Sequence, residues 1–453
     1  MSTQPGPEVA IRKVALIALV GTSIEWYDFF LYGTAAALIF PSKFFPSNFS
    51  PLAGLLAAFS TFAIGFVARP IGGIVFGHFG DRIGRKKALV AALVLMGLAT
   101  SLIGLLPTYA TLGIAAPALL VALRFMQGFA IGGQWGGATL LVTETAPAAK
   151  RGFYGSFAQV GAPAGVVLAN SVFFAVSTSL SSEEFMAWGW RVPFLLSIAL
   201  IGLALYVQIS LEDTPSFRQL QVIKEKRDSE LQRKEGRAAL DGADNTSPVF
   251  QALRNYPREI ALVAGAFMAN QVIFYVLVAF VVAYGASPSG LNLSRNMLLV
   301  AVMIGSLFMV PAIVLSAAIS DRWGGRRGVY MIGAGLLGVW SFVLFPLIET
   351  RSFLWILVAI SIGQICIGIM YGPQAALITE LFGTKVRYSG ASLGYQAGAI
   401  FGGALAPLIS TALLARFGGT FGVSVYMACA CLITFGCVFA LKETRGRDLD
   451  AIE

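Results

Sequence analysis

The chain has 453 residues, 57% of them hydrophobic and 12% charged, with a formal net charge of +9 and a mean hydropathy of +0.77. Soluble domains carry about a quarter charged residues, so a soluble enzyme or binding module is excluded and a chain that crosses a membrane many times is expected. A single His leaves little for His-based metal chemistry, and Cys366, Cys429, Cys431 and Cys437 show no metal-binding spacing.

The first thirteen residues are polar. The apolar run that follows is longer than a signal-peptide core and has no small-residue cleavage site, so no cleavable leader is expected. A spanning helix needs about 20 apolar residues. Twelve runs fit, near 14–40, 52–77, 88–106, 115–143, 152–178, 191–211, 259–285, 297–319, 329–349, 353–381, 388–414 and 421–441. Connections are short except for 212–258, which carries "KEKRDSELQRKEGR" and reads as a solvated linker. The expected fold is an all-α integral membrane protein with two six-helix bundles, 1–211 and 259–453, joined by that linker.

Twelve spans put both termini on one side. Of the 32 Lys and Arg, only Lys43, Arg191, Arg295, Arg351 and Arg416 fall in loops on the other side, while Arg69 and Arg124 lie inside spans. Basic residues concentrate in cytoplasmic loops, so both termini and the linker are expected in the cytoplasm of a bacterial inner membrane. The positive excess then faces anionic lipid, and no nucleic-acid partner is needed.

The two halves repeat. "GDRIGRKK" (80–87) after span two is matched by "SDRWGGRR" (320–327) after span eight. "WGGATLLVTETAPAAKR" (135–151) is matched by "YGPQAALITELFGTKVR" (371–387), and in both a Glu precedes an Arg by seven residues. "QVGAPAG" (159–165) in span five is matched by "QAGAIFG" (396–402) in span eleven. Two copies in the same orientation is the parallel-repeat plan of a transporter, with its site between the halves near the midplane.

The loop "GHFGDRIGRKK" (77–87) resembles the signature of the major facilitator superfamily, and "RFMQGFAIGG" (124–133) resembles its span-four motif. Together with "EWYDFFLYG" (25–33), "FVARPIGGIVFGHFGDR" (66–82), "GGQWGGA" (132–138) and "WGWRVPF" (188–194), the chain resembles the metabolite:proton symporter branch over nearly its whole length. That branch includes carriers of shikimate, 2-oxoglutarate, citrate, dicarboxylates, proline and betaine. The resemblance implies the major facilitator fold, proton symport of a small organic acid or zwitterion, and no cofactor beyond the coupling proton. It does not choose the substrate. In the related sugar porters, it implies that an Asp in span one, also after a Tyr, couples proton movement with an Arg in span four.

Charge inside a span is costly and marks function. Asp28 in span one is the expected proton carrier, with Arg124 in span four as its partner if spans one and four are neighbours. A carboxylate loses its proton more readily beside an Arg, so an Arg that moves as the helices rock would load and unload it. Glu25, on the same face, remains open between a second proton site, a partner for Arg69 and a contact for a substrate cation. Arg69 could hold a substrate carboxylate through its bidentate fork or neutralise Glu25 or Asp28. Tyr32, Gln127, Gln134, Gln159 and Asn170 in the first half, and Asn270, Gln271, Tyr275, Gln364, Tyr371, Gln374, Tyr395 and Gln396 in the second, complete the expected substrate cavity. Each amide could equally be a helix–helix hydrogen bond.

A gate is expected on the cytoplasmic side from Asp81, Arg82, Arg85, Glu144 and Arg151 with Asp321, Arg322, Glu380 and Arg387. The Asp residues suit a helix N-terminus, where the dipole favours an anion, and the Glu residues suit the Arg residues. The expectation is a monomeric importer in contact with membrane lipid. The rivals are an exporter, a proton-independent facilitator and a transport-silent membrane sensor. No nucleophile–base pair or phosphate loop supports an enzyme. Asp81→Asn is expected to impair uptake while membrane insertion stays intact; normal uptake in that variant would remove the gate reading.

Overall fold

A computed structural model describes residues 7–83, 85–132, 139, 142–144, 146–212, 248–323, 325–383 and 386–446. Twelve long helices follow the expected runs: α1 (Pro7–Leu38), α2 (Pro51–Ile83), α3 (Arg85–Leu105), α4 (Ala115–Gly132), α5 (Arg151–Ser179), α6 (Val192–Glu212), α7 (Pro257–Ala286), α8 (Arg295–Arg322), α9 (Gly325–Glu349), α10 (Phe353–Thr379), α11 (Arg387–Phe417) and α12 (Phe421–Ala440). Among the described residues, ten helices are long and apolar enough to cross a membrane, and the apolar stretches of α3 and α6 are shorter. The protein is a multi-pass membrane protein. Most of the predicted linker lies outside the described residues, and its end forms a helix at Pro248–Asn255.

In the first half α1 packs along α5, α2 along α4, and α3 against α4 and α6. In the second, α7 packs along α11 and α12, α8 along α10, and α9 against α10 and α12. The halves meet where α5 lies against α8 and α10, α2 against α11, and α1 against α7. Both α7 and α11 contain a π-helical turn, at Val276–Phe280 and Ala399–Ala404. Such single turns occur mostly within α-helices and often near functional sites. These two lie in the helices that face α1 and α2.

Span four was expected beside span one. Its backbone instead packs along α2 and α3, and it reaches α1 through the side chains of Arg124 and Gln127. The reason is in the glycines of "QGFAIG". A Cβ on Gly128 would run into the Gly65 carbonyl, and one on Gly132 into the Arg69 carbonyl. Without hydrophobic driving force between helices in lipid, close backbone approach supplies the packing energy. From these two helices the side chains of Arg69 and Arg124 both reach the Phe29 ring.

On the side away from the termini, Arg191 Nη1 donates to the Gly104 and Leu106 carbonyls at 2.7 and 2.8 Å, closing the C-terminal end of α3. A short helix at Ser182–Ala187 starts with a Ser181–Glu184 capping box. Hydrogen bonds from the Ser181 backbone and hydroxyl hold the Glu184 carboxyl below its ordinary range.

The α2–α4 crossing gives a direct test. Gly128→Leu is expected to abolish recovery of folded protein, because overpacking a full core costs about 1–3 kcal/mol or more. Gly202→Leu, where a Cβ meets nothing within 4 Å, is the matched control and should purify normally. Equal yields for the two would refute the tight crossing.

Candidate functional site

Asp28 is fully buried, and neither carboxylate oxygen has a hydrogen-bond partner. It forms no ion pair with Arg124, so the expected Asp28–Arg124 partnership is corrected for this conformation. The carboxylate points toward hydroxyl-bearing neighbours on other helices, Thr100 on α3 and Ser197 on α6. Arg124 is also fully buried. Its guanidinium carbon stands 4.1 Å from the centre of the Tyr32 ring, 4.4 Å from Phe29 and 4.8 Å from Phe62. Nη1 donates to Gln127 Oε1, while Nε and Nη2 find no acceptor.

Arg69 mirrors this arrangement one ring away. It is 1% exposed, with its guanidinium carbon 4.3 Å from the Phe29 ring centre and 4.6 Å from Phe66. Its Nε and Nη2 also lack acceptors. Both arginines therefore share Phe29. Arg69 faces Tyr275 on α7 and Tyr395 on α11, across the junction of the halves. Glu25 lies within electrostatic reach of Arg69. Of the three roles left open for Glu25, this geometry favours a partner for Arg69, without a direct ion pair.

Around these groups is an aromatic cluster. Tyr275 packs edge-on against Phe29, Phe62 and Phe66, with ring centroids 6.1, 5.7 and 5.3 Å away. Phe30 meets Phe274 at 5.3 Å. A small cavity adjoins the cluster, lined by Phe30, Thr34, Phe62, Asn170, Tyr275 and Val278 among others. Thr34 Oγ1 donates to Asn170 Oδ1 at 3.0 Å. Asn170 was among the expected cavity residues and lines it, whereas Thr34 was not expected, since nothing in a single hydroxyl marks the direction it faces.

The expected substrate residues separate. Tyr275 lines the cavity and Arg69 faces it from the cluster. Tyr32 does not line the cavity: it is buried inside the first half and donates to Thr61 Oγ1 at 2.7 Å. Gln127 is corrected likewise, because both ends of its amide are bonded within the first half. Gln159 Nε2 donates across the halves to the Tyr371 carbonyl at 3.5 Å. Asn270 Nδ2 donates to Gln374 Oε1 at 3.1 Å, and Gln374 Nε2 donates to Tyr330 at 2.7 Å, while Asn270 Oδ1 is buried without a partner. Gln271 lies beside Tyr395. Gln396 is buried with its Oε1 unpartnered. Gln134 lies outside the described residues.

On the terminal side the halves are locked together. Arg151 Nη1 meets Glu380 Oε1 at 3.2 Å, and Arg387 Nη1 meets Glu144 Oε1 at 3.4 Å. Each half's Arg reaches the other half's Glu, as the repeat requires. Asp321 accepts from the Gly152 and Phe153 backbone amides at 3.0 and 2.8 Å, at the N-terminus of α5. Arg326 was missed by the sequence reading. It grips Glu380 through Nε (2.7 Å) and Nη2 (2.9 Å) and Asp321 through Nη1 (2.9 Å). Thr444, after the last span, donates to Glu380 Oε2 at 2.8 Å. Arg322 is exposed, and its carbonyl accepts from Arg445. The side chains of Asp81, Arg82 and Arg85 lie outside the described residues. On the opposite side Ser177 Oγ donates to Asn296 Oδ1 at 2.7 Å, so the halves also touch there.

Glu380 is the hub of the terminal-side network. Breaking a buried ion pair by removing one charge costs about 3–5 kcal/mol. Glu380→Gln is therefore expected to lower Tm by several degrees and to raise labelling of a terminal-side cysteine probe. Unchanged Tm and labelling would show that the network does not hold this side shut.

Comparison with known proteins agrees with this architecture. Residues 14–453 match the family model described as sugar (and other) transporter. The chain is 41% identical to the inner membrane metabolite transport protein YhjE of Escherichia coli (strain K12), over 97% of this chain and 96% of that protein. It is 38% identical to the shikimate transporter of the same organism, over 96% and 95%. It is 32% identical to the proline/betaine transporter of Salmonella typhimurium, over 97% and 85%. Among solved structures, the proton:xylose symporter XylE bound to 6-bromo-6-deoxy-D-glucose shares the fold, with a TM-score of 0.77 at 20% identity over 98% of both chains. These relatives are transporters rather than enzymes, and this chain belongs to the sugar (and other) transporter family of the major facilitator superfamily.

Proposed function

We propose that this protein imports a small carboxylate-bearing metabolite, an organic acid or zwitterion, together with a proton. It works by alternating access as a monomer in a bacterial inner membrane, with both termini in the cytoplasm. The observation that carries this reading is the buried pair of arginines, Arg69 and Arg124, whose guanidinium nitrogens lack carboxylate partners. Shikimate, proline and betaine, named for the relatives, each contain a carboxylate. Arg69 faces the junction of the halves and offers a fork to such a group. Hydrogen bonds to charged groups contribute about 1.5–3 kcal/mol.

An unpaired buried charge costs several kcal/mol, and a proton on Asp28 removes that cost. Loading from the outside would therefore place a proton on Asp28 and a carboxylate on Arg69. The loaded centre lets the Arg151–Glu380, Arg387–Glu144 and Asp321–α5 contacts break, opening the cytoplasmic side. Movement of Arg124 to Asp28 then favours release of the proton.

Flux in liposomes containing the purified protein tests this. A screen against organic acids and osmolytes first identifies the substrate. Arg69→Ala is expected to raise KM at least ~10-fold. Asp28→Asn is expected to abolish accumulation driven by a pH gradient. Wild-type rates with unaltered pH dependence in Asp28→Asn would refute the coupling role.

A further inference from the structure

Resting on the reading of Asp28 as proton carrier, we propose that Gln127 is the positioning residue that parks Arg124 away from Asp28 in the closed state. An acid and a base, both fully buried at one level of the first half, would be expected to pair, because their attraction strengthens as the surroundings dry. They do not pair. A neutral amide connects them. Gln127 Oε1 accepts from Arg124 Nη1, and Gln127 Nε2 donates to the Asp28 main-chain carbonyl at 3.2 Å and to Thr100 Oγ1 at 2.9 Å. Both ends of the amide are used, so it cannot turn without losing a bond to α1 or α3. On the far side, the faces of Tyr32, Phe29 and Phe62 receive the cation. Gln127 and the rings thus define one resting place for Arg124. Leaving that place means breaking the Gln127 bond.

The charged and titratable neighbours are few. Arg124 faces Tyr32 on α1, Arg69 on α2 and Tyr275 on α7. Asp28 has Tyr27 on its own helix, and neutral hydroxyls at Thr100 on α3 and Ser197 on α6. Glu25 on α1 faces Arg69 and Tyr395 instead. Arg124 is therefore the cation placed to change the proton affinity of Asp28, and Gln127 controls its distance.

Gln127→Leu keeps the bulk of the side chain and removes both ends of the amide. Freed from it, Arg124 can approach Asp28 and favour the ionised carboxylate, so loading needs more acid. The half-maximal pH of uptake in liposomes is expected to fall by about one unit, a ~10-fold change in the proton concentration required. Gln127→Met, an unbranched side chain that also lacks both ends of the amide, is expected to shift the profile the same way, which keeps the test open if Gln127→Leu misfolds. In an Arg124→Gln background that retains flux, adding Gln127→Leu should cause no further shift. A pH-dependent wild type with superimposable profiles for Gln127→Leu and Gln127→Met overturns the positioning role and leaves the Asp28 reading standing. A wild-type profile flat in pH overturns both.

Discussion

The arrangement depends on one constraint: two guanidinium groups, Arg69 and Arg124, are buried between helices without carboxylate partners. An isolated charge in a low-dielectric interior is unfavourable, and here aromatic faces supply the compensation. Phe29 lies against both cations, at 4.3 and 4.4 Å. The glycine crossing of α2 and α4 holds together the two helices that carry the arginines. The acids on α1 lie nearby but unpaired, so the centre stores an attraction that a proton, a substrate anion or a helix movement can alter. That is the physical requirement for coupling one solute to another.

The terminal side shows the opposite condition. There, among the described residues, the acids of the network are paired: Glu380 with Arg326, Arg151 and Thr444, Glu144 with Arg387, and Asp321 with Arg326 and the first amides of α5. Contacts that cross between the halves lie beside contacts inside one half, and Glu380 belongs to both kinds. Separation of the halves leaves Glu380 with Arg326, so opening does not strand that carboxylate. Pseudo-twofold pairing also spreads the cost of opening over two Arg–Glu contacts.

Much of the helical architecture is legible in the sequence, since the twelve apolar runs that anticipate the twelve long helices are long-range signals. The repeated Glu-to-Arg spacing also pointed to Glu144, Arg151, Glu380 and Arg387. What the sequence hid was direction across helices. Arg124 and Asp28 looked like partners because charge of opposite sign is conspicuous, whereas Gln127, which bonds to Arg124 and to the Asp28 main-chain carbonyl, resembles any helix amide. Arg326 read as one more basic residue of a loop, and Thr444 as part of a tail. The packing of α4 on α2 lay in plain view as glycines, but their spacing does not name the helix they meet. Phe29 looked like one of 34 Phe residues; only the fold shows it between two cations.

The central claim is that Asp28 carries its proton while Arg124 rests on the aromatic rings. Isotope-edited infrared difference spectra of wild type against Asp28→Asn, in membranes at neutral pH without substrate, test it most directly. The account predicts a protonated carboxyl C=O band that is present in wild type and absent in Asp28→Asn. An ionised carboxylate signature for Asp28 in the substrate-free protein would contradict it.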